Sequence, residues 1–478
     1  MIRVGWLLDW IVVGLLTWGW RVAEQGVIER EAEPQGEGKP GSRGKPNGNG
    51  FMRFLRMLGP GVITGAADDD PSGIATYSQT GAQFGFGQLW TALYQVPLLL
   101  AVQEACGRIG AVTGKGLAGV IKDHYARKIL IGVVVLVAVA NTINIGADIG
   151  AVAAAAQLVV NVPFWVLAVG TTLALVVSEV LVPYKKYACW LKWLALALLS
   201  YPATAFIVKQ PWKEILYATF VPHIEFTFAF FFIITGVFGT SISPYMFFWQ
   251  ASEEVEEERA VGMAMKKADG QPNLPRRFIR DMRVDTLVGM VSAELAQWFI
   301  IITTATVLFK HGVKTINTAA DAAKALEPLV QSFPNSGQVA KDLFAVGVVG
   351  LGLLGIPVLA GSAAYALAEA FGWKEGLSKK FRQAKGFYGV IIVSMVIGLL
   401  LNFIGIDPFR ALVFTAVFNG VAAVPLLYLI ARINGSEAIL AGQRGGVWSR
   451  VFVWMTFGVM ALSAVALLYT VVFQHSAN

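Results

Sequence analysis

Runs of about twenty apolar residues, separated by short polar segments, recur along most of this chain of 478 residues. A run of that length can cross the hydrocarbon core of a bilayer as a helix. Only 14% of the residues are charged, against about 25% in soluble domains, and the mean hydropathy is +0.61. The sequence therefore predicts an all-α polytopic membrane protein.

The apolar runs predict about 11 transmembrane helices, of which the first and the sixth are interrupted. They lie near residues 57–84, 88–109, 129–160, 163–182, 187–208, 226–252, 286–309, 341–371, 387–406, 408–432 and 448–473. We expect a transmembrane domain over residues 53–473. It is preceded by an apolar segment of no assigned role (1–29) and by a Gly-, Pro- and charge-rich stretch (30–52) that is typical of a disordered linker.

Basic residues concentrate in alternate loops between the predicted spans. This alternation predicts that the bundle begins on the cytoplasmic side of a bacterial-type cell membrane. Because the net charge of +7 is spread over short loops, it does not indicate a nucleic-acid partner. The sequence holds four histidines and two cysteines, none of them at metal-binding spacing, so we expect no zinc chemistry and no disulfide framework.

The first interruption lies within GAADDDPSGIATY, residues 65–77. Pro71 and Gly73 break a span whose apolar sequence continues on both sides. An ionised carboxylate inside a membrane is costly without a partner, and no Lys or Arg occurs in this span after residue 56. We therefore expect a bound cation as the partner. Asp70, next to the break, is the predicted ligand, whereas Asp68 and Asp69 are expected to line the access route or to hold water around the ion.

The second interruption lies within FFFIITGVFGTSISPYMFFWQAS, residues 230–252. Gly239 and Pro244 are the expected breaking residues, and Thr240 and Ser243 place hydroxyl groups beside them. Broken helices at matching positions, five spans apart, indicate inverted repeats with a binding site near the midplane. The repeats are expected at about 55–208 and 224–432, followed by an extra helix at about 448–473.

Both interruptions resemble motifs of the Nramp family of divalent-metal transporters, and most closely its magnesium-transporting, Nramp-related branch. The stretch GPGVITGAADDDPSGIATYSQTGAQFGFGQLW (59–90) is similar to the family's first helix, and GTSISPYMFFWQASEE (239–254) to its sixth. The resemblance implies a LeuT-type fold of five plus five helices, with transport by alternating access. It also implies that Asp70 and Pro71 correspond to the family's metal-binding aspartate and its proline.

The sequence departs from the family at three further site positions. Gly73 stands where the family has an asparagine ligand, Ser243 where it has a methionine ligand, and Tyr245 where it has a histidine. The carbonyl group of Thr240 corresponds to a coordinating backbone carbonyl. Oxygen ligands suit Mg²⁺ and Mn²⁺, whereas a thioether favours softer metals. Asp70, Thr240 and Ser243 are thus the expected ligands of transported Mg²⁺ or Mn²⁺, and no cofactor is expected.

The stretch NTINIGADIGAVAAAA (141–156) resembles the family's third helix, which carries protons on acidic residues. Asp148 stands at one of those positions, either as a remaining proton site or as a hydrogen-bonded membrane carboxylate, but Asn141 and Ala151 replace others. We therefore expect transport uncoupled from protons, with a proton-coupled Mn²⁺/Fe²⁺ transporter as the alternative. Asn419 in the tenth span is expected to line the cavity, as are Tyr245 and Asp148.

Two other classes of function are less consistent with the sequence than metal transport. A symporter for an organic anion on the same fold is disfavoured by three aspartates at the first break. An intramembrane enzyme is disfavoured because no second aspartate motif or phosphate-holding basic residue accompanies them. We expect a monomeric transporter, not an enzyme, with metal ions and the lipid bilayer as its partners.

Overall fold

The computed structural model describes residues 60–182, 198–260, 276–333 and 335–474. In this part of the chain the secondary structure consists of helices. The α-helices are α1 (Pro60–Asp68), α2 (Pro71–Phe84), α3 (Trp90–Thr113), α4 (Leu117–His124), α5 (Arg127–Ala156), α6 (Phe164–Leu181), α7 (Ser200–Ile207), α8 (Trp212–Phe220), α9 (Phe228–Ser241), α10 (Pro244–Ala260), α11 (Arg276–Val307), α12 (Ala319–Ala323), α13 (Ser336–Phe371), α14 (Lys385–Leu401), α15 (Pro408–Asn434) and α16 (Val447–Gln474).

These helices account for the predicted spans. Eight helical segments are long and apolar enough to cross a membrane, counting α9 and α10 as one. The first span consists of the two short helices α1 and α2, and the ninth is α14, with 17 residues. Of the fifth span, α7 is the helix within the described residues. The predicted all-helical fold with interrupted first and sixth spans is confirmed.

Several sequence-based expectations fall outside the described residues. They are the apolar segment at 1–29, the linker at 30–52, the basic residues at 53–56, 185–186 and 266–267, and the first part of the fifth span. The division into a first repeat, a second repeat and an extra helix stays a prediction.

The two interrupted spans lie at the centre of the bundle. α11 packs along both α1 and α2, and α13 and α15 both pack along α5. α9 packs against α15, and α10 packs against α3 and α13. Both breaks are therefore enclosed by other helices, which is the condition under which irregular backbone is tolerated at membrane depth.

Two glycines bring α1 into direct backbone contact with α11. A Cβ atom at Gly61 would lie 2.6 Å from the backbone nitrogen of Thr286, and one at Gly65 would lie 2.3 Å from the carbonyl oxygen of Gly289. Gly61 N also donates to Asp285 Oδ2 at 2.7 Å. Glycines four residues apart share one helix face, and small residues on such a face allow membrane helices to approach closely.

Gly239 has a different role from the one expected from the sequence. It lies inside α9 and not at the break, which begins after Ser241. A Cβ atom at Gly239 would lie 2.1 Å from the carbonyl oxygen of Ala416 and 2.3 Å from Gly420 N. The expectation that Gly239 breaks the helix is therefore wrong, because this glycine serves the close packing of α9 on α15.

The close α1–α11 contact predicts that adding a single methyl group at this interface destabilises the protein. We expect Gly65→Ala to lower the free energy of unfolding by about 1–3 kcal/mol, since the added Cβ would overlap the Gly289 carbonyl and backbone must move. Thermal unfolding in detergent measures the change. Gly132→Ala is the control, because a Cβ atom at that exposed glycine of α5 would have nothing within 4 Å. Equal melting temperatures for the two variants would contradict the prediction.

Candidate functional site

The break in the first span is built around Asp70, which is the N-cap of α2. Its backbone is extended (φ −57°, ψ 173°). Its Oδ1 accepts hydrogen bonds from Gly73 N at 3.0 Å and from Ser72 Oγ at 2.6 Å. Pro71 occupies the first helical position, where its missing amide hydrogen costs nothing. The sequence Asp-Pro-x-Gly thus ends one helix and starts the next, and it holds a carboxylate at the positive end of α2.

The break in the sixth span is held by Ser243. Its hydroxyl donates to the carbonyl oxygens of Gly239 at 2.5 Å and Thr240 at 2.8 Å. These carbonyls belong to the last turn of α9, where the helix itself supplies no amide partner. Pro244 then begins α10. The backbone oxygen of Thr240 and the hydroxyl of Ser243 therefore lie together at the end of α9.

The two breaks face each other across the bundle. Ser72 Oγ lies 3.2 Å from Thr240 Oγ1. Since the single Ser72 proton is directed to Asp70, the Thr240 hydroxyl is the donor of this second hydrogen bond. Tyr245, from α10, donates to the carbonyl oxygen of Ala67 at 2.9 Å. Its hydroxyl lies 3.5 Å from Asp70 Oδ2, so Tyr245 closes the site on the α1 side.

α5 adds two polar side chains beside Asp70. Asp148 is fully buried, and neither of its carboxylate oxygens has a hydrogen-bond partner among the described residues. Asn144 lies beside Asp70, and its amide nitrogen and oxygen also lack a partner with hydrogen-bond geometry. Asn144 was not singled out from the sequence. The available signal was its position four residues before Asp148, which places both on one face of α5.

Two glycines of α13 complete the wall around the break. A Cβ atom at Gly355 would lie 3.0 Å from Asp70 Cβ. One at Gly352 would lie 3.3 Å from Pro71 Cγ. The backbone of α13 therefore contacts the break directly, and larger residues at either position would displace Asp70 or Pro71.

The roles expected for Asp68, Asp69 and Asn419 stay predictions. Asp68 and Asp69 interact electrostatically with Asp70 and with Glu294 of α11. Asn419 is buried in α15 next to Gly420, which packs on α9. Among the described residues, no hydrogen bond joins Asn419 to Asp70.

Gly73 lies in a crowded position. A Cβ atom there would be 3.0 Å from the carbonyl oxygen of Asp68 and 3.3 Å from Tyr77 Cε2. It would also be 3.5 Å from Thr240 Oγ1. A side chain at residue 73 would therefore require neighbouring atoms to shift. Although Gly73 has no ligating side chain, the neighbouring atoms fill the space that such a side chain would occupy.

A cavity of about 330 Å³ reaches the first break from one side of the bundle. We call this the far side, where α2 ends, and the opposite side, where α1 begins, the near side. The cavity is lined by Pro71 and Ile74 at its inner end and by Gln157, Thr318 and Asp407 towards the far-side loops. The cavity thus extends from the far side to Pro71, the residue next to Asp70.

On the near side, three hydrogen bonds hold α1 against its neighbours. Gly61 N binds Asp285, Thr64 Oγ1 donates to Gln250 Oε1 at 2.9 Å, and Tyr245 binds the carbonyl oxygen of Ala67. Together they connect α1 to α10 and α11 along its length.

The donor set at Asp70 is suited to a hard cation. It comprises the Asp70 carboxylate, hydroxyl oxygens, and carbonyl oxygens at the end of α9, with the Asp148 carboxylate nearby on α5. In the described part of the chain no three His, Cys, Asp or Glu side chains are arranged to hold a metal ion by themselves. A cation at Asp70 would therefore depend on neutral oxygens and water for most of its coordination.

Comparisons with known proteins agree with this architecture. The family model "Natural resistance-associated macrophage protein-like" (Nramp) matches residues 61–470. The divalent metal cation transporter MntH of Caldanaerobacter subterraneus is 25% identical over 401 residues, covering 79% of this chain and 85% of the relative. MntH of Deinococcus radiodurans is 26% identical over 417 residues, covering 83% and 87%.

Solved structures with a similar fold include two groups of transporters. A manganese transporter of Eremococcus coleocola has a TM-score of 0.68 at 16% identity, covering 89% of this chain and 88% of that one. Mhp1, a nucleobase-cation-symport-1 family transporter, has a TM-score of 0.52 at 15% identity, covering 88% and 91%. These similarities establish the LeuT-type fold, in which the first and sixth helices are broken.

Proposed function

Because this chain belongs to the Nramp family, we propose that it carries divalent metal cations across a membrane by alternating access, with Mg²⁺ as the main substrate and Mn²⁺ as a second. The family match over residues 61–470 supports cation transport in general. The oxygen-only donor set around Asp70 is the observation that supports Mg²⁺.

The binding step follows from the geometry of the two breaks. Asp70 supplies the negative charge, and the Thr240 carbonyl and Ser243 hydroxyl supply neutral oxygens from the opposite helix end. Mg²⁺ is usually held by one or two carboxylates while it keeps several waters. A site with the Asp70 carboxylate, Asp148 nearby and no expected sulfur ligand fits that pattern, whereas a thioether would favour thiophilic metals.

A proton-coupled Mn²⁺/Fe²⁺ transporter is the second candidate. The observation in its favour is that the relatives are named as divalent metal and manganese transporters. Asp148 beside Asp70 is also a buried carboxylate on the helix that carries protons in the family. We nevertheless propose uncoupled transport, because Asn141 and Ala151 are not acidic and Tyr245 replaces the histidine.

We further propose that the near side faces the cytoplasm of a bacterial-type cell and that the protein acts as a monomer. Basic residues of the described loops support the orientation, since those between α3 and α5 and between α13 and α14 lie on the near side. The cavity would then open to the exterior, consistent with uptake.

The site assignment predicts that Asp70→Ala reduces Mg²⁺ influx into proteoliposomes at least about tenfold, because the variant loses the carboxylate that caps α2 and faces the end of α9. Influx is measured with an internal Mg²⁺-sensitive dye. Asp321→Asn is the control, since this carboxylate caps the short far-side helix α12. Full transport by Asp70→Ala would contradict the assignment.

The donor set predicts strong competition between the two metals. Millimolar Mg²⁺ should suppress Mn²⁺ uptake by the wild type, because both ions use the same oxygen ligands. Ser243→Met should reduce the uptake of both ions, since it replaces a hydroxyl ligand with a thioether, which hard cations do not favour. Mn²⁺ uptake is measured by quenching of an internal dye. If Mg²⁺ hardly affects Mn²⁺ uptake by the wild type, the proton-coupled Mn²⁺/Fe²⁺ alternative is favoured.

Uncoupled transport predicts no movement of protons with the metal. Mg²⁺ influx into vesicles that contain a pH-sensitive dye should leave the internal pH unchanged while the Mg²⁺ signal rises. The same vesicles with a potassium ionophore and potassium on both sides serve as the control, because potassium then balances the charge that Mg²⁺ carries without moving protons. Acidification that depends on Mg²⁺ influx and is lost in Asp148→Asn would show that Asp148 carries protons.

A further inference from the structure

Asp68, the last residue of α1, and Asp69, in the break that follows, interact electrostatically with Glu294 of α11. The two helices run parallel, with Gly61 beside Asp285 and Gly65 beside Gly289, at the same sequence offset of 224 residues. One turn further along, this register places Asp68 and Asp69 opposite residues 292 and 293, next to Glu294, with which Asp68 and Asp69 interact electrostatically. The glycine contacts thus determine which residue of α11 faces the two aspartates.

The surroundings of Asp68 contain acidic groups and no described cation. The charged residues that interact with it are Asp69, Glu294 and Asp70. Asp68, Asp69 and Glu294 are 1%, 4% and 2% exposed. Three carboxylates from two helices therefore share a buried region without a basic partner.

Several of these oxygen atoms have no hydrogen-bond partner in the described part of the protein. They are both oxygens of Asp68, Oδ1 of Asp69 and Oε1 of Glu294. The Gln297 amide lies 3.1 Å from the other oxygen of Glu294. Leaving an ionised carboxylate buried and unpaired is costly, so these groups can be ionised together only when a cation is bound beside them.

We propose that Asp68 and Glu294 form a second cation site, separate from Asp70, which binds a divalent cation between α1 and α11. Two carboxylates on different helices match the charge of such an ion, and Mg²⁺ and Mn²⁺ accept oxygen ligands and water for the rest. Asp69 adds negative charge beside the pair.

Neutral oxygens complete the surroundings of the proposed site. Tyr77 of α2 lies near both Asp68 and Glu294, and its hydroxyl forms a 2.9 Å hydrogen bond with Ser241 Oγ. Gln297 lies one turn beyond Glu294 on α11. A cation bound here would also hold α1 against α11, in addition to the glycine contacts.

The test counts Mn²⁺ ions bound per chain of purified full-length protein, from the electron paramagnetic resonance signal of free Mn²⁺. We expect two ions for the wild type. Glu294→Gln and Asp68→Asn should each bind one, Asp70→Ala should bind one, and the double variant Asp70→Ala with Glu294→Gln should bind none. Size-exclusion profiles establish that each variant is folded. Because Glu294→Gln and Asp68→Asn are independent, the second site can still be tested if one of the two variants does not fold.

Glu369→Gln is the matched control. It removes a buried carboxylate of α13 that already accepts hydrogen bonds from Gly119 N and Ser252 Oγ, so it should still bind two ions. A wild type that binds one ion, or a Glu294→Gln variant that keeps two, overturns the second site.

The use of Mn²⁺ as probe rests on the proposed function. The Asp70 transport site and the second cation site are nevertheless refuted by different results. Asp70→Ala that keeps two ions would refute the Asp70 site and leave the Glu294 result intact. A loss of one ion in Glu294→Gln supports the second site whatever Asp70→Ala does.

Discussion

Unpaired backbone groups at the two helix breaks are the constraint on which this structure depends. In hydrocarbon these groups have no water to bind, so each break must be closed by side chains of the protein. Asp70 and Ser243 do this at the first and sixth spans respectively. Because one is a carboxylate and the other a hydroxyl, the groups that close the helix ends are also oxygen ligands, and capping and cation binding use the same atoms.

Close contact between backbones positions these atoms. Gly61 and Gly65 set the register of α1 against α11, Gly239 brings α9 onto α15, and Gly355 lets α13 approach Asp70. None of these glycines has a side chain that could bind an ion. Each permits an approach that a Cβ atom would prevent, and the spacing of the helices determines which polar side chains can share a site.

Parts of this arrangement could be predicted from the sequence and parts could not. Pro71 after an acidic residue marks a helix start by local chemistry alone, so the first break was predictable. Gly239 was misinterpreted, because a glycine inside an apolar run looks the same whether it breaks a helix or packs against another. Asn144 and Glu294 were missed as neighbours of the aspartates, since their proximity depends on how α5 and α11 pack.

The sequence by itself determined the class of protein, the span pattern, the place of both breaks and the oxygen character of the residues beside them. These properties follow from hydropathy, proline geometry and side-chain chemistry, which act locally along the chain. Only the tertiary structure decided that the three consecutive aspartates have different surroundings. Asp70 turns towards α5 and α10 because it caps α2, whereas the parallel register of α1 and α11 places Asp68 and Asp69 beside Glu294.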